Sequence, residues 1–328
     1  SVMLKLAEIL GVTEHELITA SIDNKQREET YKDGILDGLL TAYYQNGQLR
    51  EQVNYRKGLP EGVAKVYYEN SNLKNEITYM NGKLNGITKS YYEDGSLQKE
   101  GVYKDGKLNG YAKTYYKNGQ LQSEENYTDN KINGEAVQYY ESGKIYKKTS
   151  LTNGILNGKS IAYNENGDIL SEANLKNGKF DGIFREFYDN SHVKVEGFFS
   201  DDMKNGPFVA YYENGQMHVR ENYKNNLKNG LFVEYYDNGQ IKSEVMYKDN
   251  KKEGTEKQFY ENGQLKIISD YVNGMVNGFS KEYYENGEVK FSANYKNNKM
   301  EGRKYMYYET GVLMAEGNFI DDKPDGIV

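Results

Sequence analysis

Tyr43-Tyr44-Gln45-Asn46-Gly47-Gln48-Leu49 is the unit from which most of this 328-residue chain is copied. It returns as Tyr67-Tyr68-Glu69-Asn70, Tyr91-Tyr92-Glu93-Asp94-Gly95 and Tyr115-Tyr116-Lys117-Asn118-Gly119, and it is still legible at Tyr307-Tyr308-Glu309-Thr310-Gly311. Each copy begins 24 residues after the last. A fixed period of that length means a stacked array in which each unit contacts its neighbours, so no large single core is required.

Two glycine-bearing columns punctuate the period. The column from Gly38 through Gly62, Gly86 and Gly110 to Gly326 is glycine in all thirteen places, which implies a positive φ or a close backbone approach. Four residues earlier, the column from Gly34 to Asp322 holds only Gly, Asn or Asp, the residues that tolerate the left-handed conformation. Together they mark a longer turn, for example from Gly106 to Gly110. The second turn is Asn46-Gly47 and its copies, a strong signal for a tight hairpin. Between the turns lie two segments of about eight residues, one strand each. The expected fold class is therefore all-β, an elongated antiparallel β-hairpin array of twelve copies.

A three-residue loop at 45–47 places Tyr43 near Leu49 and Tyr44 beside Gln48. Alternation along the strands then puts Tyr43, Leu49 and Tyr55 on one face, with burial. Phe187 and Phe259 replace Tyr in the first of these columns, and Leu151, Leu175, Phe199 and Phe319 in the last. The columns headed by Glu51 and Val53 are mixed, so only partial burial is expected there. The same register predicts the ion pairs Glu186–Lys194, Glu234–Lys242 and Glu282–Lys290 on the opposite face, which is expected to be wet.

That wet face carries Tyr44, Tyr68, Tyr92, Tyr116, Tyr140, Tyr188, Tyr212, Tyr236, Tyr260, Tyr284 and Tyr308, with Asn164 in the remaining place and never Phe. These tyrosines either simply cover a polar strand face or form an aromatic platform for an extended protein partner. They are the candidate partner-binding residues.

The first thirty residues differ in kind. Residues 1–22 combine helix formers and apolar spacing, with a capping box at Thr13-Glu14-His15-Glu16, so a short N-terminal helical segment is expected. Residues 23–30 are polar and read as a linker, and 31–328 as the array. The run Leu4-Lys5-Leu6-Ala7-Glu8-Ile9-Leu10-Gly11-Val12-Thr13-Glu14-His15-Glu16-Leu17-Ile18 resembles the last two helices of a Cro/repressor-type helix-turn-helix domain. The part that would hold a recognition helix is missing. A helical cap over the first strand edge is the alternative.

The Gly-x4-Tyr-Tyr-x-Asn-Gly-x-Leu run, as in Gly230-Leu231-Phe232-Val233-Glu234-Tyr235-Tyr236-Asp237-Asn238-Gly239-Gln240-Ile241, resembles the MORN-repeat family, and within it the bacterial variant called YwqK-like antitoxins. The resemblance covers about residues 31–328 and implies a hairpin array used for binding proteins and, in some eukaryotic relatives, membrane lipids. Those relatives favour a Trp in the hairpin, and this chain has none.

Composition narrows the functional classes. The net charge is −7, with 42 basic and 49 acidic residues interspersed, so no footprint for nucleic acid or anionic lipid stands out. Cysteine is absent, which removes thiolate chemistry and disulfides. No apolar run approaches the roughly 20 residues that span a bilayer. His192 and His218 fall one repeat plus two residues apart without a third ligand column, so no metal or acid–base site is expected. The expectation is a non-enzymatic protein-binding scaffold without cofactor, cytoplasmic, with an unknown protein partner. The alternatives are a structural spacer that self-associates through its C-terminal edge, or the sensing array of a DNA-binding regulator.

Overall fold

The computed structural model describes residues 27–326. Among the described residues every regular element is a strand and none is a helix. The fold class is thereby corrected to an all-β antiparallel hairpin array, with no helix among the described residues. The residues on which the helical segment was placed, 1–22, lie outside those described.

One copy runs as strand Gly38–Tyr43, tight turn, strand Leu49–Arg56, second turn, short strand Leu59–Pro60, and then the next copy at Gly62–Tyr67. The tight turn is the expected three-residue loop. Gly47 donates to the Tyr44 carbonyl at 2.9 Å and Tyr44 N–H to the Gln48 carbonyl at 2.8 Å, with Gly47 at φ +83°, a type I turn closed by a glycine bulge. Asn46 Oδ1 accepts the Gln48 N–H at 2.9 Å, so the side chain completes the turn that its type favours.

The second connection is tighter than its two columns suggested. Asp105 and Gly106 both have positive φ, +51° and +82°, and Lys104 pairs with Lys107 and Tyr103 with Leu108. This is a two-residue type I′ hairpin, not a loop from 106 to 110. A register shift follows it, and Gly110 then takes φ +128°. A Cβ at Gly110 would lie 2.9 Å from Val102 Cβ, so both reasons for a glycine column apply there.

The expected faces hold near the tight turn and exchange beyond it. Tyr43 does pair with Leu49, but Ala42 pairs with Glu51, Leu40 with Val53 and Gly38 with Tyr55. Arg50 is the extra residue of a β-bulge, and one extra residue reverses the parity of everything after it. Tyr55 therefore shares its face with Leu40, Ala42 and Tyr44, not with Tyr43. The face expected to be wet is the one that holds the core, and the Val53 column, expected to be only partly buried, includes some of the best-buried residues, Ile77 at 3% and Val245 at 2% exposure. Tyr43-column rings lie on the other face, where Tyr115, Tyr139 and Tyr211 donate to Glu100, Glu124 and Glu196 at 3.1, 2.9 and 2.8 Å.

The described residues divide into two compact units, 27–157 with 165–167, and 158–164 with 168–326. In the first, Ala64, Ile77, Leu84, Tyr103 and Leu108 form a buried cluster, with Val53, Tyr79, Ala112 and Tyr127 packed against it. In the second, the core is aromatic. Phe180, Phe184, Phe199, Phe208 and Tyr223 follow one another at ring separations of 5.2–6.1 Å. Gly197 opposes both Phe184 and Phe208 across the strands, and a Cβ there would lie 2.3 Å from Phe208 Cε1. The missing side chain is the space the ring occupies.

Candidate binding surface

The Tyr44 column lies at the tight-turn edge, and nine of its tyrosines donate from the hydroxyl to a carbonyl one copy ahead. Tyr44 Oη donates to the Tyr67 carbonyl at 2.6 Å, Tyr68 to Tyr91, Tyr92 to Tyr115 and Tyr116 to Tyr139, at 2.7–2.9 Å for the last three. In the second unit Tyr188, Tyr212, Tyr236, Tyr260 and Tyr284 donate to the carbonyls of Tyr211, Tyr235, Phe259, Tyr283 and Tyr307 at 2.7–2.9 Å. A phenylalanine cannot make this bond, which accounts for its absence from the column. Each bond contributes about 0.5–1.5 kcal/mol net.

The rings are held as well as the hydroxyls. The residue six places on, beyond the turn, packs against the same ring: Lys74 on Tyr68, Lys194 on Tyr188, Lys242 on Tyr236, Lys266 on Tyr260 and Lys290 on Tyr284, with ammonium-to-centroid distances of 5.3–6.0 Å. Tyr146 meets Tyr140 edge-on at 5.1 Å, and His218 lies on Tyr212 at 4.4 Å. The three expected ion pairs brace this edge, Lys194–Glu186 and Lys242–Glu234 at 2.8 Å and Lys290–Glu282 at 2.7 Å.

A second ladder runs parallel to the tyrosines. Asn70, Asn118, Asn190, Asn214 and Asn286 each donate from Nδ2 to the carbonyl 23 residues on, at 2.8–3.0 Å. Asn164 breaks the pattern. Its side chain bonds Asp168 within its own turn, through Oδ1 from the Asp168 N–H at 2.9 Å and from Nδ2 to Oδ2 at 3.2 Å. The candidate residues are thus half-buried and fixed, except Tyr308, which is exposed.

His192 and His218 are engaged separately. His192 Nδ1 sits 2.9 Å from the Glu213 carbonyl, in the asparagine ladder, and His218 covers Tyr212. Among the described residues no group of three or more His, Cys, Asp and Glu is placed to hold a metal ion.

The core of the second unit also holds a charged stretch that was not among the residues expected to matter. The column that holds Leu84 and Leu108 holds Lys204, Lys228 and Lys252 in three consecutive copies. Lys204 Nζ lies 4.7 Å and 4.9 Å from the Phe208 and Tyr223 ring centroids, and Lys228 lies 5.1 Å and 5.4 Å from those of Phe232 and Tyr247. Lys228 pairs with Glu221 and Lys252 with the buried Glu256, each at 2.6 Å. Burial pushes the Glu221 carboxyl up, but its bonds from Lys228 and Tyr223 outweigh this and hold it below the usual range. The signal was present in the sequence, as three lysines in an otherwise apolar column. Only the fold shows that the column faces the core.

The repeats also place the chain among known proteins. The model of the MORN repeat variant matches twelve times, at residues 36–57, 60–81, 84–105, 108–129, 132–153, 156–177, 180–201, 204–225, 228–249, 252–273, 277–297 and 300–321. No curated protein matches the chain in sequence. Among solved structures, a TcdB2–TccC3 assembly is similar at 10% identity over 86% of this chain and 19% of that chain, with a TM-score of 0.18. The Photorhabdus luminescens Tc holotoxin pore with the TccC3 mutation D651A is similar at 12% identity, over 87% of this chain and 19% of that one, also with a TM-score of 0.18. The chain spans about a fifth of the length of these two proteins. No helix among the described residues is long and apolar enough to cross a membrane. The twelve matches cover well over half of the sequence, and the chain belongs to the MORN repeat variant family.

Proposed function

We propose that the array is a non-enzymatic scaffold that binds a partner protein along the tight-turn edge. The observation that carries this reading is the doubly fixed tyrosine column. Aromatic rings recur in every copy but that of Asn164, and at Tyr212, Tyr236 and Tyr260 each is tied at its hydroxyl and packed on one side by the residue six places on. Tyrosine provides a large contact area at low entropic cost, and pre-organisation lowers the cost of association further. The exposed turn residues between the rings, such as Glu213, Asp237 and Glu261, supply a polar rim. An antitoxin role, as the resemblance to YwqK-like proteins implies, is one instance of this reading, with a cytoplasmic toxin as the partner.

The test is affinity capture from the source cell with the wild-type chain and with the variant Glu213→Arg, Asp237→Arg, Glu261→Arg. The three side chains are exposed, so stability should move by no more than about 0.5 kcal/mol. Loss of a captured protein at unchanged stability supports the reading. Equal capture by both chains, or by neither, refutes it for this edge.

A further inference from the structure

Glu125 and Glu221 occupy equivalent positions four copies apart, and the chain equips them differently. At Glu221 the carboxylate accepts the Tyr223 hydroxyl and the Lys228 ammonium, each at 2.6 Å. Lys228 rests on two aromatic rings, Lys204 lies against two more, and Phe208 fills the space over Gly197. At Glu125 the frame is repeated. Tyr127 donates to the carboxylate at 2.6 Å, Gly101 stands where Gly197 does, and Tyr103 where Phe199 does. The filling groups are replaced: Ala112 stands for Phe208, Leu108 for Lys204 and Ile132 for Lys228. No basic side chain among the described residues pairs with Glu125.

The result is a half-open cavity of about 120 Å³ lined by Thr88, Gly101, Tyr103, Leu108, Ala112 and Glu125 among others. Thr88, Gly101, Ala112 and Glu125 are successive cross-strand neighbours, so the cavity has a small-residue floor with a polar group at each end. Thr88 is 2% exposed, and its Oγ1 is the one buried side-chain oxygen among the described residues without a hydrogen-bond partner. Buried polar groups are almost always paired, and an anionic group beside aromatic rings favours a cation.

We propose that this cavity receives a primary alkylammonium group, the side chain of a lysine on a partner protein. The chain's own Lys228 shows the chemistry, an ammonium beside the Phe232 and Tyr247 rings and on a carboxylate that also accepts a tyrosine hydroxyl. In the cavity the stem lies on Leu108, Ala112 and Tyr103, and the ammonium meets Glu125. Lys99, also on the rim, is a competing cation within the chain. The identity of the carrier rests on the scaffold reading above, while the pocket chemistry can be tested apart from it.

The experiment titrates the full chain with N-acetyl-lysine N-methylamide and with its uncharged norleucine analogue, following the methyl resonances of Thr88 and Ala112. Saturable shifts are expected with the lysine derivative and binding about tenfold weaker or more with norleucine. Glu125→Gln should weaken the lysine derivative about tenfold, Lys99→Met should strengthen it, and Ala112→Phe, which rebuilds the Phe208 filling, should abolish it. No saturation, equal binding of the two derivatives, or full affinity in Glu125→Gln overturns the proposal. The last of these outcomes is decisive even if Ala112→Phe fails to fold. Binding as expected, with no protein captured from the cell, upholds the pocket and refutes the protein-binding reading instead.

Discussion

Tyr236→Phe removes one oxygen from the edge of the array and leaves the ring and the Lys242 that covers it. Its hydroxyl donates to the Phe259 carbonyl at 2.8 Å, so the variant should lose about 0.5–1.5 kcal/mol. The same bond is 2.9 Å at Tyr212 and 2.7 Å at Tyr260. The three bonds share no partner, and the triple variant should therefore lose roughly 1.5–4.5 kcal/mol by near-additivity. Tyr308 belongs to the same column, but it is 52% exposed and its hydroxyl makes no such bond, so Tyr308→Phe should change stability by less than about 0.5 kcal/mol. Urea unfolding followed by circular dichroism measures all of these. An array can open repeat by repeat, so amide hydrogen exchange across residues 204–275 should locate the loss. A triple variant as stable as the wild type, or a Tyr308→Phe cost equal to that of Tyr236→Phe, would show that the hydroxyls do not tie the copies together.

Three further outcomes follow from the turns, the core and the buried phenols. Asn226, at φ +67°, accepts the Lys204 N–H at 2.7 Å through its side chain; Asn226→Gly should cost at most about 1 kcal/mol, whereas Asn226→Ala, which adds left-handed strain, should cost roughly 2–3 kcal/mol by urea unfolding. Phe208→Ala should cost about 3–5 kcal/mol by the cavity it leaves, and Gly197→Ala about 1–3 kcal/mol by overpacking against that ring; a neutral Gly197→Ala in thermal unfolding would contradict the packing described. Burial pushes the Tyr103 phenol up to about 12, and burial with the neighbouring Tyr55 and Glu51 does the same for Tyr79. A raised folded value means that the stabilisation is complete below the unfolded value near pH 10 and is lost as the pH rises through about 12. Phe at both positions should move the alkaline transition upward, and an unmoved transition in a pH titration of the β-sheet signal would count against it.

Much of the array is legible without coordinates because turns are local. Asn46-Gly47 and the Gly/Asn/Asp column from Gly34 specify backbone angles that few other residues adopt, so the tight turn, the place of the second turn, the period and the pairing of Tyr43 with Leu49 could be read directly, whereas the two-residue length of the second turn could not. The ion pairs Glu186–Lys194, Glu234–Lys242 and Glu282–Lys290 form although each lysine is itself the bulged residue and not the one opposite its glutamate, because a long side chain spans a shift of one place. Family membership, likewise, is a property of the repeated residues.

The assignment of faces was not legible, and the reason is a single residue. The bulge at Arg50 shifts the opposing strand by one place, and with a side-chain period of two that moves Val53 and Tyr55 to the face of Tyr44. No composition rule marks Arg50 and its varied counterparts as bulged. The role of the Tyr44 column was hidden for a related reason, since its partner carbonyl lies 23 residues away and belongs to the backbone, which any residue supplies. Sequence alone therefore determined the hairpins and their period, through turn residues that act on their own few neighbours. The tertiary structure decided which face is buried and why the tyrosines keep their hydroxyls, because both depend on how one copy lies against the next.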